Sequence, residues 1–104
     1  MKDPRSDVIR VMLVDDMRGA RTGFMMMLNN APDIIVSCQA ADGAQAIGYL
    51  RESPHQLPDV ILMDVRMPVM DGIEATGIIK EEFPQIRILT VSYTHLTLPT
   101  NREV

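Results

Sequence analysis

The chain is 104 residues long, which gives room for one domain built on one core. Hydrophobic residues make up 46% of it and charged residues 23%, a globular balance that excludes a disordered chain. A formal net charge of −4 argues against direct nucleic-acid binding, which needs a basic face.

In chain order, Met1–Asp7 reads as a polar, flexible leader carrying Pro4. The run "VIRVMLV" at Val8–Val14 predicts a first strand. A helix is predicted over Met17–Asn30, where Ala20, Phe24, Met27 and Leu28 are spaced to share an inward face. "NNAPD" ends it, and "IIVSC" at Ile34–Cys38 predicts the second strand. Asp42-Gly43 forms a turn into a second helix over Ala44–Glu52, which buries Ile47 and Leu50. The loop "SPHQLPD" leads to "VILM" at Val60–Met63, the third strand. A third helix starts at "DGIE", with Asp71 as N-cap and Glu74 reaching back to its amide as in a capping box. Ala75, Ile78 and Ile79 point inward, and Phe83 closes that face before Pro84 stops the helix. "IRILTV" at Ile86–Val91 is the fourth strand.

These strand runs are nearly continuous in apolar residues rather than alternating, as expected of strands covered on both faces. The order β-α-β-α-β-α-β predicts an α/β fold, a doubly wound parallel sheet with helices on both faces. The single cysteine, Cys38, has no partner for an internal disulfide and reads as a buried, reduced thiol. No apolar run follows a basic start and no stretch is long enough to span a membrane, so the expected setting is cytoplasmic.

In sheets of this kind ligands bind beyond the carboxyl ends of the strands. Asp15 and Asp16 follow the first strand, Asp64 follows the third and Ser92 follows the fourth. If strands one and three are neighbours, three carboxylates crowd one place, where they repel and resist ionisation. A hard divalent cation resolves that conflict, and Mg²⁺ suits best, since it binds one or two carboxylates and fills its shell with water and phosphate oxygens. The plainer reading is that each Asp caps a strand or helix, with Asp16 capping the first helix. That reading serves one Asp easily, and it serves poorly an acidic pair and a lone Asp on separate strand ends with a hydroxyl on another.

The sequence resembles the receiver domain of two-component response regulators, including the chemotaxis regulators. "VMLVDDMRGAR" resembles that family's first strand and acidic pair. "PDVILMDVRMPVMDGIEA" resembles its third strand, phosphoacceptor and following loop, and "IRILTVS" its fourth strand ending in a hydroxyl. The resemblance covers Val8 to Ser92 and implies a flavodoxin-like sheet. On it, Asp64 matches the phosphoacceptor, Asp16 the direct Mg²⁺ ligand and Asp15 its neighbour at the metal. Arg66 matches the position whose backbone carbonyl meets the metal, and Ser92 the switch hydroxyl. Met67-Pro68 and Asp71-Gly72 match the loop that shapes the site. The implied partners are a sensor histidine kinase or phosphotransfer protein and, from the wording "MDGIEAT", a helix-turn-helix output domain. The implied chemistry is phosphorylation from a donor and slow hydrolysis, not turnover of a dedicated substrate.

Residues 93–104 depart from the pattern. The family's strand order is 2-1-3-4-5, whereas here the order 2-1-3-4 is expected, with the fifth strand and last helices missing. No lysine follows Lys80, so the family's phosphoryl-pairing lysine has no counterpart, and "YTHLTLPTNREV" reads as a foreign tail. The expected layout is therefore leader 1–7, incomplete receiver 8–92 and tail 93–104. A receiver-like interaction module that is not phosphorylated is the competing reading. An aspartyl phosphatase is set aside because Arg66 stands where its second Asp belongs. His55 and His95 lack metal-ligand spacing, and Glu81-Glu82 reads as a solvated face. Arg18 and Arg21 are either ordinary exposed helix arginines or an entry for an anionic donor.

Overall fold

The computed structural model describes residues 8–64 and 72–91. Strands β1 (Ile9–Val14), β2 (Ile34–Ala40), β3 (Val60–Asp64) and β4 (Arg87–Val91) alternate with helices α1 (Arg18–Asn29), α2 (Gly43–Glu52) and α3 (Gly72–Glu82). All strand pairs are parallel and the sheet order is β2-β1-β3-β4, as the resemblance implied. The expected leader, the Asp71 cap, Arg66, Met67-Pro68, Ser92 and the tail from Tyr93 lie outside the described residues.

Side chains alternate across a strand, so each strand feeds two faces. Met12 and Val14 of β1 join Ile61 and Met63 of β3 on one face. Ala46, Ile47 and Leu50 of α2 and Ala75 and Ile79 of α3 close over them, with Phe83 and Ile78 packed at the margin. Val11 and Leu13 belong to the opposite face, where α1 lies against β2. The near-continuous apolar strands are thus used on both sides.

In β2 the pairing slips by one residue between Val36 and Cys38, leaving Ser37 as a bulge. Val36 pairs with Val11, while Cys38 and Ala40 pair with Met12 and Val14. The bulge therefore moves the second half of β2 to the α2 face. Cys38 ends half-buried rather than fully covered.

Three local expectations change. Met27 was expected inward, but it is 65% exposed. Successive helix positions turn by about 100°, so with Phe24 and Leu28 against the sheet, Met27 swings out. Asp16 does not cap α1; the cap position is Met17, with no side-chain cap bond. Asp42 is more than a turn residue: it caps α2 by accepting from the Gln45 amide at 2.8 Å, and Gln45 Oε1 accepts from the Ala41 amide at 2.7 Å. α2 accordingly begins at Gly43, one residue earlier than predicted.

At the opposite end of the strands, Asp59 ties three of them. Its side chain accepts from the Arg10 amide at 2.9 Å, its own amide donates to the Arg10 carbonyl, and its carbonyl accepts from the Arg87 amide. The edge where the strands begin is locked by backbone bonds, so the edge where they end is free to carry a site.

Candidate functional site

Val14 of β1 pairs with Met63 of β3, so the next residues, Asp15 and Asp64, emerge side by side. Asp15 extends β1 by one more bond, its amide donating to the Ala40 carbonyl at 3.0 Å. Beyond it the chain turns into α1, which brings Asp16 to the same spot. One carboxylate oxygen from each of Asp15, Asp16 and Asp64 lies within 4.8 Å of the other two. The predicted adjacency of strands one and three is what gathers them.

Their surroundings differ. Asp15 is fully covered, Asp64 is 6% exposed and Asp16 is open to solvent. Asp15 Oδ1 accepts from the Met17 amide at 2.8 Å, whereas its buried Oδ2 has no donor. Burial, then the charges of Asp64 and Asp16, push the Asp15 carboxyl up to about 6, against the Met17 hydrogen bond, which lowers it. Without a cation to offset these charges, the Asp15 carboxyl resists ionisation.

The group suits Mg²⁺. The donors on offer are all carboxylate oxygens, drawn within 4.8 Å of one another, the hard oxygen set that Mg²⁺ takes. A bound cation would also satisfy the orphaned Asp15 Oδ2 and remove the repulsion that raises its pKa. The chemistry open to such a cluster is charge neutralisation beside a carboxylate nucleophile.

Of the remaining residues singled out in the sequence, His55 is exposed in its loop and Arg18 is exposed on α1. Glu82 is engaged rather than merely solvated, forming a two-pronged ion pair with Arg51 that links α3 to α2. Arg21 is not an open cation either. Its Nη1 donates to the Asp15 backbone carbonyl and its Nε to Gln39 Oε1 at 3.3 Å. Gln39 was not singled out in the sequence, because a lone polar residue in a strand carries no signal of what meets it from another element. A cavity of about 190 Å³ lined by Arg10, Met12, Cys38, Tyr49 and Leu50 lies toward the other end of β1, away from the carboxylates.

The family model for the response regulator receiver domain matches residues 11–103. The response regulator protein VraR of Staphylococcus aureus is 42% identical over 84 residues, covering 81% of this chain and 39% of that protein. The chain thus spans well under half the length of the curated relatives it matches. Among solved structures, the response regulator domain of Thermotoga maritima CheB is 38% identical with a TM-score of 0.73, covering 82% of this chain and 60% of that one. The signal receiver domain of the putative response regulator NarL from Mycobacterium tuberculosis is 32% identical with a TM-score of 0.74, covering 83% and 67%. With this sheet order, these carboxylates at the ends of β1 and β3, and these matches along most of its length, the chain belongs to the response regulator receiver domain family.

Proposed function

We propose that this receiver domain accepts a phosphoryl group on Asp64 from a phosphohistidine of a sensor histidine kinase or phosphotransfer protein. Phosphorylation on an aspartate and Mg²⁺ at an acidic pocket are general features of the family. The observation that carries the reading here is the convergence of Asp15, Asp16 and Asp64, with Asp15 Oδ2 buried and lacking a donor. In this reading Asp15, Asp16 and Asp64, with the Arg66 backbone carbonyl, hold the metal, and Ser92 is the switch hydroxyl. The longer protein would carry a helix-turn-helix output domain, and the domain would act away from membranes; among the described residues no helix is long and apolar enough to cross one.

Bound Mg²⁺ supplies the positive charge that lets an anionic carboxylate meet an anionic phosphoryl group. The chain's own residues do the rest. Asp64 is held at the end of β3 by the β1 and β4 pairings, which fix its backbone next to that of Asp15. One of its oxygens attacks phosphorus in line, the phosphorus–nitrogen bond to histidine breaks, and an aspartyl phosphate forms. Hydrolysis by water later returns the carboxylate and releases phosphate. Asp15 and Asp16 contribute negative charge and take no covalent part. The signal is a population shift toward an active surface, favoured by the phosphorylated state.

Incubation with acetyl phosphate and Mg²⁺ tests this reading. One phosphoryl group per chain is expected by mass spectrometry, lost with a chelator and lost in Asp64→Asn. Modification that persists in Asp64→Asn overturns the assigned acceptor. Complete absence of modification in the wild-type chain favours the interaction-module reading.

A further inference from the structure

We infer that Arg21, held by Gln39, is a positioning residue that sets the direction of the Asp15–Asp16 pair and thereby tunes metal affinity. The inference rests on reading these carboxylates as metal ligands. Asp16 is the exposed member of the trio, and its carboxylate has no hydrogen bond or ion pair among the described residues. Only its backbone keeps it beside Asp15 and Asp64. The Asp15 carbonyl lies in the same rigid peptide plane as the Asp16 nitrogen. Whatever holds that carbonyl also sets the direction in which Asp16 leaves.

Arg21 Nη1 is the group that holds it. The guanidinium is in turn held by Gln39 of β2 through Nε, and Gln39 Nε2 lies 3.2 Å from Met25 Sδ on α1. The same turn is tied by the Asp15 amide to Ala40 and by the Met17 amide to Asp15 Oδ1. Gln39 sits opposite Leu13 in register, one pair before the strand ends that carry the site. The clamp therefore joins α1, β1 and β2 within two residues of the acidic pair.

Geometry, not charge, is the proposed role. Arg21 makes no ion pair among the described residues. A planar guanidinium reaches two acceptors in fixed directions at once, whereas a lysine ammonium reaches them only as a flexible point charge. Arg21→Lys keeps the charge and loses the fork. Gln39→Leu keeps the arginine and loses its anchor.

The full chain titrated with Mn²⁺, with free ion followed by electron paramagnetic resonance, reads the site without any phosphodonor. A single site abolished by Asp16→Ala is expected in the wild-type protein. Arg21→Met and Arg21→Lys should each weaken it roughly ten-fold, as loss of groups that orient metal ligands commonly does. Gln39→Leu, on an exposed position, should weaken it by a smaller factor while the thermal midpoint stays near wild type. Full Mn²⁺ affinity in Arg21→Lys would overturn the geometric role. Unchanged affinity in both Arg21→Met and Gln39→Leu would overturn the inference altogether. A wild-type chain that binds no Mn²⁺ would instead overturn the metal reading on which it rests.

Discussion

Asp15 is covered by protein and stands beside two other carboxylates, so ionising it disfavours the folded state relative to the unfolded one. Its carboxyl is raised from 3.8 to about 6. Between these values the folded chain binds the extra proton, so stability falls as pH rises through that window and is level above it. Asp15→Asn removes the charge and keeps the shape. In metal-free buffer at pH 7 it should stabilise the fold by up to about 3 kcal/mol, and the gain should shrink as pH falls toward 4. Thermal melts of both proteins across that range check the sign. Saturating Mg²⁺ should reverse the ranking, since the wild-type charge then has a partner.

At the scale of single elements, helix ends are decided by a few hydrogen bonds. α2 is capped on both sides of its first turn by the Asp42–Gln45 pair. Asp42→Ala should cost about 1 kcal/mol, read as a fall of about 4–8 °C in thermal midpoint for a domain this small. Asp42→Asn should keep most of that stability. The spacing "DGAQ", Asp and Gln three apart, is that of this cap, but Asp42-Gly43 reads as a turn in the sequence, which places the helix start one residue late, at Ala44. The Ser37 bulge was not legible, because nothing in "IIVSCQA" marks where β1 will slip against it. The inward place expected for Met27 failed for a related reason: helical spacing names a face, and only the sheet decides how wide a strip of that face is covered.

Over the whole molecule, the two covers of the sheet are unequal. α2 and α3 close one face over a continuous core, whereas α1 has no fully buried residue. β4 pairs on one side with β3, and among the described residues no strand lies on its other side. Its Leu89 is 56% exposed beside that edge. An apolar edge strand invites pairing with another chain. Light scattering should therefore rise with protein concentration near neutral pH, and Leu89→Lys should suppress it without lowering the thermal midpoint appreciably. A wild-type chain that remains monomeric at high concentration would contradict this.

The sequence by itself determined the alternation of strands and helices, their bounds to within about two residues, and the placing of Asp15, Asp16 and Asp64 at strand ends. Those features are local: hydrophobic periodicity, cap spacing and the residue that ends an apolar run are all read within one element. That the three carboxylates meet was expected only through the family resemblance and its strand order; the residues themselves left it conditional, because it needs β1 and β3 to be neighbours across an intervening strand and two helices. Tertiary structure alone decided the raised pKa of Asp15 and the Arg21–Gln39 clamp. Both depend on burial and on groups brought together from different elements, and no spacing along the chain encodes either one.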